Sequence, residues 1–208
     1  MPVRYFYFQT VCKSYQENIM SIQNILPFTH QLLTQHLNDG DTALDGTAGN
    51  GHDTVFLAKA VGNRGKVWAV DVQRQAMEQT KARLMAENLL GRAALVEDSH
   101  QYIEKYIRQR LDAAVFNFGW LPGGDKNITT SAHSSLAALN STLSLLNPNG
   151  IVVTVLYPGH DSGRVEAEAV EAWAQSLPQQ EFAVLKYHFI NRQNHPPYVL
   201  AIQKLRQK

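Results

Sequence analysis

The run Asp45-Gly46-Thr47-Ala48-Gly49-Asn50-Gly51-His52-Asp53-Thr54 gathers two carboxylates, an imidazole, an amide and three glycines into one short stretch. Gly49 and Gly51 permit a tight turn and close backbone approach to a ligand. Asp71 follows Val67-Trp68-Ala69-Val70, twenty residues beyond Gly51. An acid at that place can accept both hydroxyl hydrogens of a ribose, so the pair of features predicts a nucleotide-like cofactor. A dinucleotide site wants Gly-x-Gly-x-x-Gly, with pyrophosphate at the helix start. Here Thr54 replaces the third glycine, and His52 and Asp53 crowd the position. An acid at the helix start repels pyrophosphate, whereas a carboxylate just before the glycines suits a cationic ligand with an amino group. These features favour S-adenosylmethionine over NAD. Asp45 would hold the methionine end through side chain or backbone, Gly49, Asn50 and Gly51 would pass beneath the cofactor, Asp71 would take the ribose, and His52 and Asp53 count among the cofactor-binding residues. Asp98-Ser99-His100 lies where a further loop could reach the adenine ring. Ser99 equally suits the cap of the following helix, and the two roles can coexist.

A second stretch, Asn117-Phe118-Gly119-Trp120-Leu121-Pro122-Gly123-Gly124-Asp125-Lys126, is a polar, glycine-rich exit from an apolar strand. Ligands of open α/β sheets bind outside the carboxyl ends of the strands, so this segment is the expected acceptor side. Asn117, with an aromatic three places later, is similar to the Asn-Pro-Pro-Tyr loops of amino-group methyltransferases, with Phe118 and Gly119 in place of the prolines. Methyl transfer is an in-line displacement, in which the catalyst aligns a nucleophile at about 3 Å and keeps it unprotonated. An aliphatic amine must first shed a proton, and Asp125 is a candidate base. Asp125-Lys126 reads equally as a solvated turn or an exposed ion pair. Tyr157-Pro158-Gly159-His160 offers close approach and a titratable imidazole, for substrate binding, proton relay or a backbone-satisfied histidine. Asn191-Arg192-Gln193-Asn194-His195-Pro196-Pro197-Tyr198 mixes amides, a cation and an aromatic, suited to an RNA loop or to a polar turn. His30, His36, His133 and His188 show no metal-ligand spacing, and no metal is expected.

The elements that must hold these groups alternate short β-branched runs with longer helical patterns, as in an α/β sheet. Strands are predicted at 42–45, 66–71, 93–97, 112–116, 151–156, 182–190 and 197–204. The last two, joined through 191–196, form an antiparallel hairpin at the end of a seven-stranded, mostly parallel sheet with helices on both faces. Helices are predicted at 53–61, 73–89, 101–110, 133–146 and 164–176, after a first helix that Pro27 can open. In that helix Ile22, Ile25, Leu26, Leu32, Leu33 and Leu37 share one side. Leu136, Leu139, Leu143 and Leu146 make a second apolar stripe, and Val165, Ala169, Trp173 and Leu177 a third, with Trp173 a core anchor rather than a base-stacking platform.

The 208 residues, 44% hydrophobic and 18% charged, have the composition of an ordinary globular protein, and this length supports a full core without disulfides or structural metal. Residues 20–208 are expected to form one domain, with 1–19 an extension and Met20 close to the natural start. Cys12 is the single cysteine, which excludes an internal disulfide and leans toward the cytoplasm. The net charge of +1 excludes a broad non-specific nucleic-acid footprint but permits a local basic patch, drawn from Lys126, Arg164, Lys186 and Arg192, with a homodimer as one way to enlarge it. No apolar run reaches membrane-spanning length.

Taken in order, several motifs resemble a family of small Rossmann-like proteins labelled rRNA methylases and linked to tRNA wobble-uridine methylation. They are Asp-x-Thr-x-Gly-Asn-Gly-His-Asp-Thr at 45–54, Asp71-x-Gln73, Ser99-His100, Asn117-Phe-Gly-x-Leu-Pro-Gly-Gly-Asp-Lys126 with Ile128-Thr-Thr130, Gly159-His160, and Phe189-Ile-Asn191-x-Gln193-Asn-x-Pro-Pro197. The resemblance runs from Ile22 to the last strand, with Gly46 where relatives often have alanine and Trp120 where tyrosine is common. It implies a class I S-adenosylmethionine-dependent methyltransferase fold. The implied reaction methylates the aminomethyl nitrogen of 5-aminomethyl-(2-thio)uridine in the anticodon region of tRNA. Asn50, His52, Asp71, Gln73, Ser99 and His100 would then contact cofactor, and Asn117, Asp125, Lys126 and His160 would face the acceptor. Competing readings are a methyltransferase of ribosomal RNA or a small amine, a non-catalytic cofactor- or RNA-binding module, and an NAD oxidoreductase.

Overall fold

A computed structural model of the chain describes residues 22–120 and 129–206; the extension expected at 1–19, and Asp125 and Lys126, lie outside the described residues. Elements follow in the order α1 (Ile25–His36), β1 (Thr42–Asp45), α2 (His52–Ala60), β2 (Lys66–Asp71), α3 (Arg74–Ala86), β3 (Ala93–Glu97), β4 (Leu111–Phe118), α4 (Ala132–Leu145), β5 (Leu146–Leu156), α5 (Asp161–Gln175), β6 (Phe182–Tyr187) and β7 (Tyr198–Lys204). They build one sheet in the order β3-β2-β1-β4-β5-β7-β6. The first five strands in that order are parallel, and β7 is antiparallel to both β5 and β6, as the sequence predicts for a terminal hairpin.

The period of two along each strand divides the apolar residues between two cores. On β5, Val152 and Leu156 join one face and Ile151, Val153 and Val155 the other. Leu139 and Leu143 of α4, with Ala167, Val170 and Ala174 of α5, cover the first face. Ile25 and Leu33 of α1, Leu57 of α2 and Leu84 of α3 cover the second. Each fully buried leucine or valine among them contributes about 1.5–3 kcal/mol. Strand order reverses between β1 and β4, and at such a point the connecting loops diverge and leave a crevice at the carboxyl edge. Among the described residues no helix is long and apolar enough to cross a membrane.

Several boundaries differ from those predicted. Strand β4 continues through Asn117 and Phe118, which pair with Val155 and Leu156, so Asn117 stands on the sheet rather than in the loop beyond it. Strand β5 starts at Leu146 and meets β4 through a register shift between Leu111 and Ala113. β6 ends at Tyr187 and β7 begins at Tyr198, after two prolines that cannot donate to a ladder. The predicted 101–110 helix is a 3₁₀ segment, His100–Lys105, broken at Tyr102. The predicted 73–89 helix stops at Ala86, close before Asn88 at a positive φ of 58°.

Two apolar stripes are rotated from their predicted faces. On α1, Ile25, Thr29 and Leu33 are buried while Ile22 and Leu26 are exposed. On α5 the inner face carries Glu166, Ala167, Val170 and Ala174, and Val165 is exposed. Trp173 packs partly buried against the first core, its Nε1 donating to Asn140 Oδ1 at 3.1 Å. The periodicity misses this face because a carboxylate occupies it. Glu166 is tolerated there since Ser135 Oγ and Thr130 Oγ1 donate to its two oxygens at 2.5 and 2.8 Å. Burial still pushes its carboxyl upward, against those hydrogen bonds.

Gly46 leaves β1 with its N–H on the Val115 carbonyl at 2.9 Å, and a Cβ at this position would overlap the Phe116 ring. The bulk of Phe116 is therefore the reason that glycine stands here. Gly46→Ala is expected to lower stability by about 1–3 kcal/mol, and in a Phe116→Leu background the added cost should largely vanish. Urea denaturation of the two single variants and the double variant measures this, and equal midpoints for wild type and Gly46→Ala would refute it.

Candidate active site

Along the carboxyl edge lies a cavity of about 880 Å³, lined by the loops after β1, β2, β3, β4 and β5 and by the β6–β7 connection. The sequence-predicted residues Gly49, Asn50, His52, Asp53, Asp71, Gln73, Ser99, His100, Asn117 and His160 all line it. Asp45, Gly51 and Asp98 are absent from its wall and serve from behind.

Asp45 is fully buried at the tip of β1, where its carboxylate accepts Thr54 Oγ1 at 2.6 Å and the Thr47 N–H at 3.2 Å. Burial first, and the neighbouring Asp53 charge second, drive its carboxyl well above the usual range. Its side chain thus shapes the loop instead of reaching the cavity. Gly51 caps α2 at φ 80°, and a Cβ there would press on the backbone and hydroxyl of Thr80 at 2.8 and 2.9 Å, so this glycine lets α2 and α3 close on each other. Gly49, at φ 51°, donates its N–H to Asp71 Oδ2 at 2.9 Å, while Thr80 Oγ1 donates to the Gly49 carbonyl at 3.1 Å. The Gln73 N–H holds the other oxygen of Asp71 at 2.9 Å. Each oxygen keeps a free lone pair, so Asp71 is fixed yet able to accept two further hydroxyl hydrogens.

In the third loop, Asp98 accepts the Tyr106 hydroxyl at 2.7 Å and the Ser99 N–H at 2.7 Å. The Tyr106 hydrogen bond holds its carboxyl below the ordinary range despite partial burial. Ser99 caps the segment as anticipated, accepting the Gln101 N–H at 3.4 Å. His100 is 8% exposed, and burial lowers its imidazole to about 4. Its Nε2 is buried without a protein partner. Such an atom on a cavity wall is costly unless a ligand meets it. An unpaired ring nitrogen, a glycine turn and a fixed carboxylate suit the adenosine of S-adenosylmethionine.

On the other side, the Asn117 N–H donates to Thr47 Oγ1 and its Nδ2 to Asp53 Oδ2, each at 2.7 Å. His30 Nε2 meets the remaining Asp53 oxygen at 2.7 Å. His160 caps α5 by accepting the Gly163 N–H on Nδ1 at 3.0 Å, which leaves the neutral ring's proton on Nε2. That Nε2 is buried without a protein partner, and the ring lies 4.1 Å from Trp120. Burial and the Asp53 charge raise the Tyr157 phenol. Trp120 and Thr129 form an isolated antiparallel bridge, and Thr130, held by Glu166, lines the cavity.

His30, Thr47, Tyr157 and Gly163 receive no site role from the sequence. Only Gly163 left a usable signal, a glycine three residues after a capping histidine; a Cβ there would strike the His160 ring and the Tyr157 carbonyl. Two cations of the expected basic patch are paired with carboxylates, and a third meets neutral partners. Arg164 pairs with Glu168, Lys186 with Glu171, and Arg192 donates to Asn24 while lying over Phe189; Lys126 is outside the described residues.

This geometry has close counterparts. A crystal structure titled as a putative rRNA methylase from Clostridium thermocellum superposes with a TM-score of 0.88 at 38% identity, covering 89% of this chain and all of that one. A putative methyltransferase from Streptococcus mutans in complex with SAH gives 0.82 at 36% identity, with the same coverage. A chloroplastic tRNA (mnm(5)s(2)U34)-methyltransferase of Arabidopsis thaliana is 33% identical over 187 residues, 84% of this chain and 68% of its own length. The protein-L-isoaspartate(D-aspartate) O-methyltransferase family model matches residues 3–106. Sheet order, cofactor loops and these likenesses define a class I S-adenosylmethionine-dependent methyltransferase. Within that class, the family model described as "Putative rRNA methylase" matches residues 67–203, and the chain belongs to that family.

Because His100 is neutral in the fold, the unfolded chain alone takes up its proton near the ordinary 6.5. Stability is therefore full above that pH and is lost as pH falls toward 4, by on the order of 3 kcal/mol. His100→Gln should flatten this slope in chemical denaturation of the cofactor-free protein at pH 7, 5.5 and 4.5. An unchanged slope would show that the imidazole is not the group responsible.

Proposed function

We propose that the protein transfers the methyl group of S-adenosylmethionine to the aminomethyl nitrogen of 5-aminomethyl-(2-thio)uridine at the tRNA wobble position, giving the 5-methylaminomethyl form. The observation that carries this reading is the 33% identity to the Arabidopsis tRNA (mnm(5)s(2)U34)-methyltransferase, spread over 84% of the chain. The cavity is consistent with it, because a nucleoside-sized cofactor half adjoins a half walled by Asn117, Trp120, Tyr157 and His160.

In this reading the backbone around Gly49, with Asn50, His52, Asp71, Gln73, Ser99 and His100, holds the cofactor, whose sulfonium supplies an electrophilic methyl group. Asn117, Asp125, Lys126 and His160 face the acceptor. Asp125 takes a proton from the ammonium, and the freed nitrogen lone pair then forms the new N–C bond. The C–S electron pair returns to sulfur, and the product leaves as a secondary ammonium. His160 offers an Nε2–H donor to an oxygen of the base. The anticodon region of tRNA is the partner, bound through a local surface in keeping with a net charge of +1, with a homodimer extending it. The cytoplasm is the compartment we propose for this chain, where the Arabidopsis relative is chloroplastic.

Nucleoside mass spectrometry on tRNA rich in the unmethylated aminomethyluridine, incubated with protein and S-adenosylmethionine, should show a one-methyl gain on that nucleoside. No gain, with cofactor binding intact, would move the substrate to ribosomal RNA, as the family description suggests, or to a small amine. Asp71→Ala should weaken cofactor binding about 10- to 100-fold, the worth of hydrogen bonds to a charged group. Asp125→Ala should keep that affinity and lose turnover; undiminished turnover would remove Asp125 from the reaction.

A further inference from the structure

Asp53 lines the cavity, and each of its oxygens is held by one protein donor. Oδ2 accepts Asn117 Nδ2 and Oδ1 accepts His30 Nε2, each at 2.7 Å. His30 is in turn stacked on Phe56 with ring centroids 3.9 Å apart and planes within 4°. Asp53 sits in the first turn of α2, where the helix dipole favours a negative charge. The backbone of Asn117 is fixed separately, by strand β4 and by Thr47 Oγ1.

A carboxamide has two ends of nearly equal shape, and its orientation is decided by what it hydrogen-bonds. An ionised carboxylate accepts and cannot donate, so Asp53 admits only the Nδ2 end of Asn117. One Nδ2 hydrogen is spent on Asp53, and Oδ1, the amide's acceptor, is the end turned from the carboxylate. For an amine nucleophile the difference is decisive. A carbonyl oxygen accepts an amine N–H and leaves the nitrogen lone pair to attack. An amide N–H in the same place would hydrogen-bond that lone pair and quench it.

We propose that Asp53 is a positioning residue for methyl transfer to an amine. It locks Asn117 with Oδ1 toward the acceptor nitrogen, and His30 anchors it from α1. The role rests on the amine-methylating function proposed above, and it separates Asp53 from the cofactor contacts among which its sequence position placed it. The titratable groups facing Asp53 are His30, Tyr157 and the buried Asp45.

Asp53→Asn carries its own amide donors and no longer dictates which end of Asn117 faces the cavity. With aminomethyluridine tRNA as acceptor, kcat should fall by about tenfold or more, while SAH affinity by calorimetry and the KM for tRNA each stay within about threefold. The pH–rate profile should keep its shape at a lower ceiling, since a positioning group moves no proton. Asp53→Asn combined with Asn117→Ala should be no slower than Asn117→Ala alone, because the two act as one unit. Loss of SAH affinity in step with turnover would overturn the proposal in favour of a cofactor contact. Wild-type turnover in Asp53→Asn, multiplying losses in the double variant, or disappearance of a pH limb would also overturn it. An arm independent of the acceptor reads the Asn117 side-chain amide protons by ¹⁵N NMR in the SAH complex, assigned by their loss in Asn117→Asp. Slow exchange that becomes fast in Asp53→Asn supports the lock, and equal exchange refutes it. Failure of wild type to methylate the tRNA would count against the substrate reading, and the NMR arm would still decide the lock.

Discussion

A carboxyl group buried at the end of β1 ties the active edge of the sheet together. Asp45 accepts Thr54 of α2 and the backbone of Thr47, and the Thr47 hydroxyl in turn receives the N–H of Asn117 on β4. First loop, first cavity-facing helix and acceptor strand are thereby fixed to one another across the point where strand order reverses. The arrangement carries an electrostatic cost, since removal from water and the nearby Asp53 both disfavour its ionised form. Two hydrogen bonds offset part of that cost, and the gain is a loop whose backbone cannot drift from the sheet.

From this anchor the two halves of the cavity are built by different means. The side of the cavity around Asp71 relies on backbone: Gly49 and Gln73 N–H groups grip Asp71, and α3 closes over the loop through Thr80 because Gly51 has no side chain. The side around Asn117 relies on side chains whose direction is set by partners: Asn117 by Asp53, Asp53 by His30, His160 by the N–H of Gly163.

Two of the cations expected to form a basic patch are neutralised locally. Arg164 and Lys186 are paired with glutamates and Arg192 is stacked on Phe189. Exposed pairs of this kind contribute little to stability, about 0–1 kcal/mol each. The two ion pairs also lower the local positive field, which favours recognition of a nucleic acid by shape and hydrogen-bonding groups alongside charge.

The amino-acid sequence alone determined the sheet and most of the cavity wall around Asp71. Strands β1, β2 and β3 fall where their β-branched and apolar runs lie between turn residues, and the 45–54 and 71–73 motifs are local, so chain order suffices to bring them to one edge. Tertiary structure alone decided which of those residues face the cavity. Asp45 and Asp98 turn away because Thr54 and Tyr106, nine and eight residues further along, are folded back to take their carboxylates. Glu166 is inside because hydroxyls from α4 and from Thr130 reach it, which rotates the buried face of α5 against its apolar pattern. His30 joins the site across 23 residues through one contact with Asp53. Periodicity reports the side of an element on which residues lie; the direction of a polar side chain is fixed by the partner that desolvation forces it to find.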